Sequence, residues 1–389
     1  MKKSIVFALL GVATASLQLQ AAPVVEINSV QQQYPWTNTV DITYTSTGII
    51  SNNTYYVVFE AKDKDSNVLG LITNDLKISS GSTWTAQWQP PFNVRYENCT
   101  MTPYVYKGGQ DDYMIVDLET WKVTYEGMST QEASNAKYNT DEYKTKKLVL
   151  RKINAGTYLI GDNLTPIANS TNTQHSVTTP KDFYCAIFEL TVSQYNRIMG
   201  NAITNESTIT YDQINWNEIR GSAGVSAIPS TGVMGNLNSK NKDNLKGFDL
   251  PTYSMWEISA RAGVTTPYFT GDSITDAILD YAWLSSNSSG TMQSVGTRLP
   301  NAWGIYDMQG NGWEWVRDIS NITADLKDLQ KDPLVPVTSG DSTKRCYMGY
   351  GAQCSHTDAN AARYAKRWSD VAPNFTGTRW AVRTTYFPQ

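Results

Sequence analysis

Residues 128–147 carry few large aliphatic side chains; Ser, Asn, Lys, Asp and Glu dominate the stretch. A segment of that composition has little apolar surface to bury and reads as a linker. It divides the 389-residue chain into two regions with real hydrophobic patterning, 23–127 and 148–389. That length is long for one ordinary domain and comfortable for two. The apolar content leans aromatic, with 12 Trp and 23 Tyr, which suits β-rich or irregular folds better than helical bundles.

Residues 1–22 read as a secretory signal. Lys2 and Lys3 form a charged start, residues 5–17 an apolar run, and Ala21-Ala22 a small-residue cleavage region. A membrane-spanning helix needs about 20 apolar residues; neither this run nor any later segment reaches that length. The expected location is secreted, periplasmic or cell-surface. Removing the two lysines takes the net charge from −4 to −6. With no basic stripe in the chain, nucleic acid is not an expected partner.

The first region is rich in β-branched and aromatic residues at 24–30, 40–44, 54–60, 84–88, 102–106 and 121–125, separated by turn residues. Short strands at near-regular spacing predict a β-sandwich domain over 23–127. No catalytic constellation is visible in it. Tyr34-Pro35-Trp36 reads as a packed aromatic corner. The second region mixes short strands, few helices and long polar loops. Thr252 is placed to cap a helix whose apolar face is Trp256, Ile258 and Ala262, with Gly263 to end it. A second helix is expected over 192–199.

Cys99, Cys185, Cys346 and Cys354 allow three full pairings, and an exported location permits disulfides. The only histidines are His175 and His356, so a metal site built from three histidines is excluded.

At 156–161 the chain reads Gly-Thr-Tyr-Leu-Ile-Gly. Phe183 and Glu189-Leu190-Thr191 follow, then Leu250-Pro251-Thr252, Trp256-Glu257 and Ala260-Arg261-Ala262-Gly263. Next come Gly304-Ile305-Tyr306-Asp307-Met308, Gly310-Asn311-Gly312-Trp313-Glu314-Trp315 and Gly377-Thr378-Arg379. Taken in this order, these pieces resemble the formylglycine-generating enzymes, the sulfatase-modifying factor family. The resemblance implies that 148–389 form a low-regularity domain related to C-type lectins; with the β-sandwich read in front of it, the expected fold class is α+β.

Formylglycine-generating enzymes oxidise a cysteine of a sulfatase peptide with oxygen and Cu(I), which two thiolates five residues apart hold. Soft sulfur suits soft Cu(I). The matching stretch here is Gly349-Tyr350-Gly351-Ala352-Gln353-Cys354, continuing to Arg363. Cys354 falls on the first family cysteine and is the candidate catalytic residue. Ala359 stands where the second belongs, and Gly351 stands where the family has serine. Cys354 reads as a buried thiol, as the partner of Cys346, or as a metal pair with His356. The resemblance also implies a calcium site at Asp307, Gly310, Gly312 and Glu314, whose hard oxygens suit that ion; otherwise Asp307 and Glu314 pair with cations such as Arg317. Ca2+ is therefore the expected cofactor, and Cu(I) only if the site is catalytic. The expected function is that of a non-catalytic binding or surface module whose partner is an extracytoplasmic protein, peptide or glycan. The alternative is a formylglycine-generating oxidase.

Overall fold

A computed structural model describes residues 24–388 apart from 33–38, 48–53, 63, 65–67, 79–82, 89–98, 109–110, 128–130, 163–172, 272, 274, 321–331, 339–340, 356–362, 366–367 and 376–379. The leader, the Tyr34-Pro35-Trp36 corner, His356, Ala359 and Gly377-Thr378-Arg379 lie outside the described residues.

The N-terminal unit contains β1 (Val24–Gln32), β2 (Val40–Thr47), β3 (Thr54–Lys62), β4 (Val68–Ile78), β5 (Thr83–Trp88) and β6 (Thr100–Gly108). They form two three-stranded sheets, ordered β1-β2-β5 and β4-β3-β6. In β2 the alternation of apolar and polar residues puts Val40, Ile42 and Tyr44 on one face, and Tyr55, Val57, Phe59 and Ala61 do the same in β3. These faces share one core in which the Tyr44 and Phe59 rings meet edge-on at 4.9 Å. The expected sandwich is present; β4 was not foreseen.

The expected boundary at 127 is overturned. β7 (Tyr113–Asp117) and β8 (Val123–Glu126) join the main sheet of the second unit, because β7 pairs antiparallel with β9 (Lys147–Ile153) in the register Met114↔Leu150. Successive side chains of β7 enter opposite cores. Met114 and Val116 pack with Leu148 and Leu150, while Tyr113 and Ile115 pack with Val149, Phe188 and Tyr306. A strand buried on both faces is interior to its domain.

The supposed linker is also structured. It holds α1 (Gln131–Tyr138) and α2 (Asp141–Thr145). Its apolar content is concentrated in two tyrosines. Tyr138 is buried against Tyr113, ring centroids 4.6 Å apart, and Tyr143 packs edge-on to Tyr138 at 5.2 Å. The Tyr138 hydroxyl donates to Glu126 Oε2 at 2.7 Å. Lys144 lays its stem inward with Nζ over the Phe188 ring, the way a long charged side chain covers apolar surface.

The chain continues through β10 (Gly156–Ile160), β11 (His175–Thr179), β12 (Phe183–Ala186), α3 (Val192–Met199), α4 (Trp216–Arg220), α5 (Gly232–Lys240), β13 (Phe248–Asp249), α6 (Tyr253–Arg261), α7 (Ser285–Ser288), β14 (Trp313–Ser320), β15 (Asp341–Met348), β16 (Trp368–Val371), β17 (Trp380–Ala381) and β18 (Thr385–Tyr386). The main sheet runs β13-β18-β12-β9-β7-β8; a second sheet runs β16-β15-β14-β17. The helix expected over 192–199 is α3, opened by a reciprocal Thr191–Gln194 capping box and closed by left-handed Gly200. Thr252 caps α6 as expected, its hydroxyl accepting from Met255 N. The helix ends at Arg261, two residues before Gly263, with Ala262 itself left-handed at φ 45°. Every residue of α6 is buried, so its Glu257–Arg261 pair is satisfied inside, at 2.7 Å, and both side chains bind Gly161.

Candidate functional site

The candidate residues gather where the 304–314 loop enters β14, next to the chain between β17 and β18. Asp307 (φ 61°) and Asn311 (φ 67°) both adopt the left-handed conformation, which Asp and Asn tolerate best among non-glycine residues. Asn311 ties several segments together. Its Nδ2 donates to Glu189 Oε2 (2.6 Å) and Thr210 Oγ1 (2.8 Å), its N donates to Trp283 O, and its O accepts from Ala352 N. Gly312 donates its N–H to Glu189 Oε1 at 2.9 Å. A Cβ there would sit 2.5 Å from the Ala381 Cβ and 2.8 Å from the same carboxyl, so only glycine lets the strands approach this closely.

Glu314 is the second residue of β14 and is buried. Arg383 Nε lies 3.0 and 2.9 Å from its two oxygens and Nη2 lies 2.6 Å from Oε1. Trp256 Nε1 donates to Oε2 at 2.6 Å. Asp307 Oδ2 accepts from Gly296 N at 2.8 Å, while its buried Oδ1 has no hydrogen-bond partner among the described residues. Glu189, which the sequence marked only as part of a motif, is buried behind them. Burial pushes its pKa well above the usual carboxylate range, and Glu314 and Asp307 push the same way against Arg383. Burial raises Asp307 to about 6, opposed by the Gly296 N–H and Arg383. Burial works against the charge of Arg383, but Glu314 outweighs it and holds the guanidinium above its ordinary pKa. Burial lowers Lys144, opposed by Asp307.

Asp307, Gly310, Gly312 and Glu314 do not fit a calcium site as a set. Calcium takes six to eight oxygens. Here both Glu314 oxygens face a guanidinium, and Asp307 offers one open oxygen. No group of three or more His, Cys, Asp or Glu side chains is arranged to hold a metal among the described residues. The cation on Glu314 is Arg383; Arg317 pairs instead with Asp249, 3.2 Å away. The sequence held a signal for Arg383. An arginine directly after Trp380-Ala381-Val382 is being buried, and a buried charge requires a partner.

The sulfurs do not form a pair either. None of the four cysteines is in a disulfide, so of the readings open for Cys354 the link to Cys346 is the one the structure lacks. Cys346 faces inward from β15, fully buried with Trp256, Ile258 and Met348, and its Sγ–H donates to Ile319 O at 3.1 Å. Cys354 is partly buried in a different cluster, against Ile278, Ala282, Leu284 and Tyr350. Cys346 lies in β15 and Cys354 in the turn that follows it, and the two sulfurs enter different cores. The position matching the family serine is filled from elsewhere: a Cβ on Gly351 would lie 2.6 and 2.7 Å from the Gln353 amide atoms. That amide folds over Gly351, and both its polar atoms are buried without a hydrogen-bond partner among the described residues. As placed, these residues do not fit a two-thiolate copper site.

Residues 133–384 match the family described as sulfatase-modifying factor enzyme 1-like domain. No curated protein matches the chain. Among solved structures, PvdO from Pseudomonas aeruginosa is similar over 61% of this chain and 94% of its own, with 17% identity and a TM-score of 0.48. Treponema denticola variable protein 1 is similar over 62% and 96%, with 21% identity and a TM-score of 0.47. CarF is similar over 61% and 97%, with 15% identity and a TM-score of 0.40.

Proposed function

The chain belongs to the sulfatase-modifying factor family, and from that membership we propose that it is an exported member whose domain has given up copper chemistry and serves as a binding or surface module. Its partner is an extracytoplasmic protein, peptide or glycan. The observation that carries this reading is the separation of the sulfurs. Cys346 donates a hydrogen bond to Ile319 O from a closed core, and donation requires the protonated thiol, whereas a copper ligand is a thiolate. Cys354 packs elsewhere, and Ala359 has no atom that can replace the second sulfur. One sulfur cannot supply the geometry that selects Cu(I). Export is supported by the charged start, short apolar run and small-residue pair of residues 1–22. Among the described residues no helix is long and apolar enough to cross a membrane.

The test uses protein recovered from the exported fraction. Its N-terminus is expected near Ala22 or Pro23, and titration with Cu(I) against a colorimetric chelator is expected to show no tight site that depends on Cys354. A chain beginning at Met1 would contradict export. One tightly held Cu(I) per chain, lost in Cys354→Ser, would restore the oxidase as the better reading.

A further inference from the structure

Arg383 receives its hydrogen-bond acceptors from three separate segments. Glu314 supplies both carboxylate oxygens at 2.6–3.0 Å, the end of β12 supplies the Ala186 carbonyl at 3.0 Å, and the 304–314 loop supplies the Tyr306 carbonyl at 3.0 Å. One carboxylate and two main-chain carbonyls are hard oxygen donors of the kind a calcium ion gathers. The ion they surround here is a guanidinium, permanently charged and planar enough to meet a carboxylate with two nitrogens.

We propose that Arg383 is a built-in cation that fills this oxygen cage, tying β12, the 304–314 loop and β14 together in the way a bound calcium ion would and making the domain independent of calcium. The side chain is wholly buried, as is Glu314, so an entering ion would have to displace a guanidinium that already fills the cage.

Trp256 makes the site readable, because its indole nitrogen lies 2.6 Å from Glu314 Oε2 and would sensitise a lanthanide held there. The full chain, titrated with terbium, is expected to show no sensitised emission that calcium competes away, and to melt at the same temperature in calcium and in chelator. Emission that calcium displaces and Glu314→Gln abolishes would overturn the proposal, as would a chelator-induced fall in melting temperature absent from Glu314→Gln. Arg383→Ala empties the cage. It is expected to gain calcium-competed emission and a rise of about 5–10 °C at calcium a hundredfold above its dissociation constant. A folded Arg383→Ala protein that takes up neither ion would count against the cage. Should that variant not fold, the wild-type titration decides alone.

Discussion

A fragment beginning at residue 128 is expected not to fold, whereas one beginning at residue 111 is expected to melt cooperatively. The shorter fragment loses β7 and β8, and with them the edge that hydrogen-bonds β9 along five residue pairs. It also loses Tyr113, Met114, Ile115, Val116, Leu118 and Val123, all buried. At about 1.5–3 kcal/mol for each buried side chain, their removal forfeits about 9–18 kcal/mol. That is as large as the about 5–15 kcal/mol by which whole domains are stable. The N-terminal sandwich is not needed, since its core is built from residues 25–101 alone. Far-ultraviolet circular dichroism and thermal melts of the two fragments check this. A fragment starting at 128 that melts as cooperatively as the longer one would show that β7 is dispensable.

The largest effect of a single substitution is expected at Asp249. Its carboxylate lies between two buried guanidinium groups, with Arg220 Nε at 2.6 Å from Oδ1 and Nη2 at 2.9 Å from Oδ2, and Arg317 Nη1 at 3.2 Å. All three side chains are almost fully removed from water. Breaking a buried pair by deleting one partner costs about 3–5 kcal/mol, because the opposite charge stays buried without compensation. In Asp249→Ala two arginines are stranded, so the loss should reach at least that range, which is on the order of 10 °C in melting temperature for a domain of this size. Arg220 keeps its bonds to the Gly224 and Ala227 carbonyls, which is why misplacement rather than ejection is expected. Asp249→Asn retains the shape and one acceptor and should lose less. The exposed carboxylate of Glu206, paired with Arg197 at 2.5 Å, provides the contrast: its replacement should cost about 0–1 kcal/mol. Equal losses at the two positions, measured by urea unfolding, would remove burial as the cause.

How much of this was legible depended on where the physics is local. The α3 and α6 helices were readable because caps are one-residue signals: Thr191 and Thr252 each accept a backbone N–H three positions on. The sandwich strands were readable from alternation. The boundary was misread because β7 is buried on both faces, so Tyr113-Met114-Ile115-Val116 does not alternate, and because Tyr138 and Tyr143 carry the packing of a stretch that otherwise looks solvated. The family motifs were legible as an ordered set. Their electrostatics were not, since Glu314 meets Arg383 across 69 residues and Glu189 meets Gly312 across 123. Short-range patterns cannot show which of several carboxylates a distant cation chooses. The choice among the readings of the sulfurs stayed open for a similar reason. The spacing of Cys346 and Cys354 permits a disulfide, and only packing revealed that one thiol turns toward Ile319 O.

The separation of those sulfurs matters most for the oxidase chemistry. A family member that converts a peptide cysteine must hold Cu(I) between two thiolates, and here the second position is Ala359. The place of the serine is taken by the Gln353 amide lying over Gly351. Restoring the site therefore requires Ala359→Cys and Gly351→Ser together with Gln353→Ala, to clear the space the amide fills. The direct measurement is an aerobic assay of the full chain with added Cu(I) and a Cys-x-Pro-x-Arg peptide, read by mass at the peptide cysteine. The wild-type protein is expected to leave the peptide mass unchanged, and the triple variant to gain conversion. Wild-type conversion that Cys354→Ser abolishes would contradict the loss of copper chemistry.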